Sequence, residues 1–320
     1  RTGACRTVEA WFYEVGAHTQ QTTVPTGAAQ GCDLIDGTEG ATRSVSYDVS
    51  RLELASFKII GPKCNNVVEM ETEMARLTAK AMLDIRKSLQ KKYYDLFAAN
   101  AQANQSTYDT TTFGSVADGG NRVSVDPSNF NFELLRKMHV LAGDNLFPED
   151  YLLIDGTNFW LDNDLAQYRR ANDNARDEAA IFGDTEIYFD TRTLDAHVTR
   201  RSTFMVNPYN VLFYNDAWYS QDGEESILNG KKYMRSSIQD PLWSYNQNGV
   251  LTPVTYHMEV THECSGRNDR ADVIDEIRVN LSLPGVLAAG PTGFNNPVDG
   301  TTPPASVITG FMEFTAESPD

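Results

Sequence analysis

Apolar residues recur every three or four positions from Val67 to Phe97: Val67, Met70, Met74, Leu77, Ala81, Ile85, Leu89, Tyr93 and Phe97. That period predicts one amphipathic helix opening after Asn65 or Asn66. Some thirty residues at about 1.5 Å each make a rod of roughly 45 Å. Glu69, Glu71 and Glu73 sit in its early turns, and Lys87, Lys91 and Lys92 near its end, an order that complements the helix dipole. No second helix of this length exists to pair with it. The rod is therefore expected to lie across a sheet or against other subunits.

The same reading gives the rest of the chain. LELASFKIIG before the helix reads as a strand closed by Pro62. Residues 100–129 are polar and read as loop. FELLRKMHVLAG reads as a short helix, YLLID as a strand, LDNDLAQYRRANDNARDEAAIFG as a charged helical segment and TEIYF as a strand. RRSTFMVNPYNVLFYNDAWY reads as strand, turn at Asn207-Pro208, strand. Residues 220–249 are mixed and polar, with Asp240-Pro241 as a turn. VLTPVTYHMEVTHEC and ADVIDEIRVNLSLPGVL are two long strands, and VITGFMEF is a last short one. No internal repeat is present.

Upstream, one apolar patch runs from Val8 to Val15. Residues 18–50 are rich in Thr, Gly, Ala and Ser and cannot bury a core of their own. Val45, Tyr47 and Val49 alternate there, as in a strand with one covered face. An extended loop or two-stranded arm is expected, with those three residues as candidate contacts to another subunit.

Composition narrows the function. Hydrophobic residues make up 41% of the 320, enough for a real core. Lys and Arg total 27 against 44 Asp and Glu, a net charge of −17. That balance argues against binding nucleic acid through its phosphates, which needs clustered cations. No apolar run is long enough to span a membrane, and no signal-peptide core is visible. The absent initiator Met fits trimming or proteolysis at that end.

The chemistry sought is sparse. Cys5, Cys32, Cys64 and Cys264 are scattered, with no CxxC pair, so neither a zinc site nor a disulfide framework is expected. His257, His262, Glu263 and Cys264 are the best metal candidates, yet on a strand His257 points away from His262 and Cys264. Nucleotide-binding glycine loops and serine-nucleophile motifs are missing. No catalytic, cofactor-binding or metal residues are assigned, and no cofactor is expected. Arg169, Arg170 and Arg176 alternate with Asp164, Asp173 and Asp177 along one segment, which suits paired contacts between neighbouring subunits. Trp11, Trp160, Trp218 and Trp243 read as core or interface residues.

The order of these elements resembles the major capsid proteins of tailed bacteriophages, the Hong Kong 97-type fold. The resemblance covers most of the chain and rests on pattern. It implies an α+β fold with an N-terminal arm (1–17) and an extended β-arm, the E-loop (18–56). A peripheral, or P, domain with its spine helix (57–129) and an axial, or A, domain (130–251) would follow. P-domain strands (252–287) and a C-terminal segment returning to the A domain (288–320) would complete it. FELLRKMHVLAG, YLLIDGTNFWLDND and GDTEIYFD are similar to A-domain elements. ADVIDEIRVNLSLPGVLAAG is similar to the late P-domain strand that ends in a Pro.

The resemblance further implies a structural, non-enzymatic protein that self-assembles into pentamers and hexamers of an icosahedral head. The head would enclose double-stranded DNA without sequence-specific binding. Portal, scaffolding and decoration proteins are the implied partners, and the virion, assembled in the host cytoplasm, is the implied location. Some members cross-link through an E-loop Lys; residues 18–56 contain none, and Lys58 is the first in the chain. Two other readings stand beside this one. One is a soluble α+β enzyme with a site gathered from distant residues. The other is a β-rich surface or appendage protein, against which the long helix counts.

Overall fold

The computed structural model describes residues 7–13, 42–61, 67–101, 115–117, 122–144, 151–159, 179–182, 185–190, 194, 201–228, 231–247, 250–266, 273–290 and 310–316. The chain divides into two compact units, each α+β. The first comprises Arg1–Val8, Tyr47–Tyr93 and Phe213–Ala288, and the second Glu9–Ser46, Tyr94–Leu212 and Ala289–Asp320. Strands β1 (Thr7–Tyr13) and β2 (Thr42–Asp48) form a two-stranded sheet of their own.

The long period is one continuous helix, α1, from Val67 to Asn100. In the first unit it packs on a six-stranded sheet. That sheet runs β10 (Val211–Asn215), β14 (Val273–Ala289), β13 (Val250–Gly266), β12 (Lys231–Gln247) and β11 (Glu224–Leu228), with β3 (Ser50–Gly61) also paired to β14. Ala81, Met82, Ile85 and Leu89 of α1 enter one core with Val254 and Tyr256 of β13 and Leu281 and Leu283 of β14. Three strands reach 17 residues each, against about 5–6 for an ordinary strand. Seventeen residues at about 3.3 Å span roughly 56 Å, and 34 helical residues at about 1.5 Å span roughly 51 Å. Helix and sheet are matched in length.

Two irregularities carry physical content. On β3 the register passes from Leu283↔Glu53 to Pro284↔Arg51, so Leu52 is an extra residue. Side chains alternate along a strand, and Leu52 would otherwise face away from Ala55 and Phe57. The bulge brings all three to the core. On β12 the register jumps from Gln239↔Thr255 to Ser244↔Pro253. Asp240-Pro241, expected as a turn, lies in this bulge inside a continuous strand. A proline is tolerated there because no ladder bond needs its missing N–H.

The LPG of β14 has a packing reason. A Cβ on Gly285 would lie 2.3 Å from the carbonyl oxygen of Tyr214. Asn215, beside it, donates to the carbonyls of Pro284 (2.8 Å) and Thr255 (3.0 Å) and accepts from the Thr255 N–H (2.7 Å). One amide side chain thus closes the ladder between three strands. Gly285→Ala should lose about 2 kcal/mol, the overpacking cost outweighing the entropy gained by removing a glycine. A drop in the urea midpoint at unchanged slope would register it; an unchanged midpoint would refute the close approach.

The second unit holds a seven-stranded sheet in the order β4 (Ser115–Ala117), β5 (Arg122–Val125), β15 (Phe311–Ala316), β9 (Ser202–Val206), β6 (Leu152–Asp155), β8 (Thr185–Phe189) and β7 (Ala179–Phe182). Helix α2 (Phe132–Asp144) starts at Asn131, whose side chain accepts the Glu133 and Leu134 N–H groups at 3.0 and 3.2 Å. Its Leu134, Leu135, Met138 and Leu141 pack with Leu153, Ile187, Met205 and Phe314 of the sheet. Near the end of α1, Tyr94 stacks on Phe204 and Phe97 on Phe311, while Phe97 meets Phe204 at a tilt.

Several segments pair in ways that their sequence pattern did not indicate. Residues 50–56, expected in the extended arm, are paired to β14. Residues 213–247, expected in the A domain, belong with the helix and the long strands, because β12 pairs along β13. Ala179–Phe182, expected as helix, is a strand antiparallel to β8, with Phe182↔Thr185. The loop 100–129 contains β4 and β5, and β5 runs parallel to β15.

Candidate assembly surfaces

Val45, Tyr47 and Val49 alternate as expected: each is half-buried, while Ser46, Asp48 and Ser50 are exposed. Val45 and Tyr47 lie in β2, and Val49 joins β2 to β3. Burial raises the Tyr47 hydroxyl above its ordinary pKa. Arg169, Arg170 and Arg176 lie outside the described residues, as do Cys5, Cys32 and Cys64. Among the described residues no three His, Cys, Asp or Glu side chains gather as a metal site. His257 is buried and His262 exposed.

The described residues also contain surfaces that the sequence did not disclose. The β12 bulge is fixed from within by Asp240, whose side chain is fully buried. Its carboxylate accepts two N–H groups of Arg86 on α1, the Tyr256 hydroxyl (2.9 Å) and the Leu242 N–H (2.9 Å). Burial, and next the hydrogen bond to Asp240, raise the Tyr256 pKa, so this hydroxyl stays a donor. The network binds helix to sheet and leaves Leu242 83% exposed. Farther along the β12–β13 hairpin, Val250 and Leu251 are 65% and 72% exposed. On edge strand β11, Ile227 is 78% exposed. Lone exposed apolar side chains are ordinary. Three on one long hairpin, one of them held outward by a buried ion pair, are not randomly placed.

The face of the sheet away from α1 is polar and aromatic. Arg235 lies over the rings of Tyr233 (4.9 Å) and Tyr219 (5.7 Å) and donates to the Tyr233 hydroxyl at 2.8 Å. Glu276 pairs with Lys58 at 2.9 Å and also with Arg278, and these bonds, Lys58 first, lower its pKa. A cleft of about 300 Å³, open to solvent, is lined by Tyr214, Asp216, Tyr219, Ser237, Tyr245 and Thr255. It presents hydroxyls and one carboxylate, with no nucleophile–base pair converging on it. In the second unit, buried Asp155 accepts the Phe159 N–H (2.9 Å) and the Thr203 hydroxyl (2.5 Å), and buried Glu313 accepts the Ser202 hydroxyl (2.6 Å). These carboxylates hold backbone and strands together; both are inside the core.

No family model and no curated protein matches the sequence. Among solved structures, the chain is similar to the capsid of the cyanophage P-SCSP1u, with 10% identity over 97% of this chain and 84% of that one, at a TM-score of 0.40. It is similar to a chain of Mycobacterium phage Che8, with 11% identity over 98% and 85% of the two chains, at 0.38. It is also similar to the mature capsid of bacteriophage PhiM1, with 8% identity over 97% and 81%, at 0.39. These three likenesses are loose.

Proposed function

We propose that this chain is the major capsid protein of a tailed bacteriophage, with a Hong Kong 97-type fold, which self-assembles into pentamers and hexamers of an icosahedral head around double-stranded DNA. The observation that carries this reading is the 34-residue α1 packed on a sheet that contains three strands of 17 residues. It stands in the element order that the resemblance requires. A rod on a long-stranded sheet is a girder, and a shell subunit needs one to carry load between neighbours. The unit holding α1 and the long hairpins takes the part of the P domain, and the unit with the seven-stranded sheet that of the A domain. Residues 18–56 then act as the arm, with Val45, Tyr47 and Val49 as contacts to a neighbour. Arg169, Arg170 and Arg176 contribute further subunit contacts. Portal, scaffolding and decoration proteins are partners on this reading, and the chain resides in the virion after assembly in the host cytoplasm. It has no enzymatic role. A net charge of −17 keeps packaged DNA from adhering to the wall.

The test is assembly. The purified chain, concentrated alone and with its phage's scaffolding protein, is followed by sedimentation and negative-stain microscopy. Closed shells or five- and six-fold clusters are expected. A species of one subunit's mass under all these conditions refutes the proposal.

A further inference from the structure

His257 sits in the middle of β13 and is 4% exposed. Its Nε2 accepts the backbone N–H of Trp218 at 3.1 Å. Its ring is stacked on Tyr219 at 4.0 Å and meets the edge of Trp218 at 4.2 Å. Trp218 and Tyr219 belong to the connection between β10 and β11, which crosses the face of the sheet away from α1. The imidazole is therefore the point at which this connection is fastened. An accepting Nε2 requires the neutral ring, with its proton on Nδ1. Protonation would place an N–H against an N–H and charge a group shut away from water.

We propose that neutral His257 is an acid-sensitive latch that fastens the Trp218 backbone to the sheet and releases it on protonation. The latch lies within the first unit and does not depend on the assembly reading.

The surroundings decide the direction. Across the ladder from His257 stand Ser237 on β12 and Ser282 on β14, both uncharged. Burial is the main influence, and it lowers the His257 pKa to about 4, below the ordinary 6.5. The carboxylates of Glu259 on β13 and Asp216 in the connection pull the other way, while Arg51 on β3 adds to the lowering. Arg235 of β12 acts at one remove, over the Tyr219 ring and 3.8 Å from Glu259. Above pH 6.5 the ring is neutral whether fastened or free, and the latch holds fully. As the pH falls from 6.5 towards 4 the free ring takes a proton and the fastened ring does not. Fastening then weakens roughly tenfold per pH unit, to a limit of about 300-fold. A second tether remains, since the Ser237 hydroxyl donates to the Tyr219 carbonyl at 2.5 Å and the Ser237 N–H to the Ser220 carbonyl at 3.0 Å. Release is thus confined to the Trp218 side.

The experiment measures the hydrogen-exchange protection of the Trp218 amide, corrected for intrinsic exchange, at pH 7.5 and 5.0 in the full chain. The wild type should lose roughly 30-fold. His257→Gln, whose amide oxygen accepts the same N–H but does not titrate, should lose less than about threefold. A wild type with constant protection overturns the proposal. An equal loss in wild type and H257Q does so too, because another group is then titrating. The ring-carbon titration of His257 by NMR needs no variant, so the proposal stays testable if H257Q does not fold. A midpoint near 4 supports the latch, and one near 6.5 refutes it.

Discussion

Asp240→Ala should destabilise the unit built on α1 by about 3–4 kcal/mol. The substitution removes a buried carboxylate and leaves three donors behind: the Arg86 guanidinium, the Tyr256 hydroxyl and the Leu242 N–H. Breaking a buried ion pair by deleting one partner costs about 3–5 kcal/mol, because the other charge stays desolvated. Arg86 keeps 27% of its side chain exposed and recovers part of its hydration, which places the cost in the lower half of that range. Tyr256 cannot recover, since it is fully buried on β13, and an unpaired buried hydroxyl alone costs about 1–3 kcal/mol. Asp240→Asn keeps an acceptor and loses the charge, so it should fall between wild type and Ala. The double change Arg86→Met with Asp240→Leu should be less damaging than Asp240→Ala, since no charge is then stranded. Denaturant unfolding followed by amide exchange in α1 and β12 reads all three. A loss below about 1 kcal/mol for the alanine variant would mean that the network contributes little and the bulge is held by packing.

Much of this was legible because periodicity is a burial signal. Met70, Ala81, Ile85, Leu89 and Phe97 are buried as their spacing requires, and the helix closes within a few residues of its expected end. Asn207-Pro208 forms the turn that its residues specify, with the Asn207 side chain accepting the Tyr209 N–H at 3.0 Å. The misses are equally physical. Strand β12 has only scattered apolar residues, since one face is covered by the polar 216–222 connection and its middle is bulged at Asp240. Alternation is lost in such a strand, and Asp-Pro imitates a turn. Ala179–Phe182 continues a charged helical pattern, and only its pairing with β8 makes it a strand. Asn215, Asp240 and His257 act through partners 40, 154 and 39 residues away in sequence, a relation that no local pattern encodes. For Asn215 and His257 the available hint was a polar residue beside apolar strand neighbours, which must find a partner if it is buried; Asp240, in a polar strand, offered no such hint.

Leu83→Pro should cost at least about 3 kcal/mol and abolish assembly, while Leu83→Ala should do neither. Leu83 is 46% exposed near the middle of α1, so its side chain contributes little and the two variants separate backbone from packing. Proline removes the N–H that bonds to the carbonyl of Ala79 and drives its ring against that carbonyl. The neighbours Met82 and Ile85 are buried against β13 and β14, so the helix cannot bend at Leu83 without withdrawing them from the core. A proline kink of 20° or more would swing a half-rod of about 25 Å by roughly 9 Å at its end, far more than a close-packed core absorbs. If α1 is the girder of a shell subunit, a subunit that still folds around such a kink presents its contacts in the wrong places. The measurement pairs helix content by circular dichroism with particle yield by sedimentation. Normal yield from the proline variant would mean that the continuity of α1 is dispensable, and the shell reading would lose the observation it rests on.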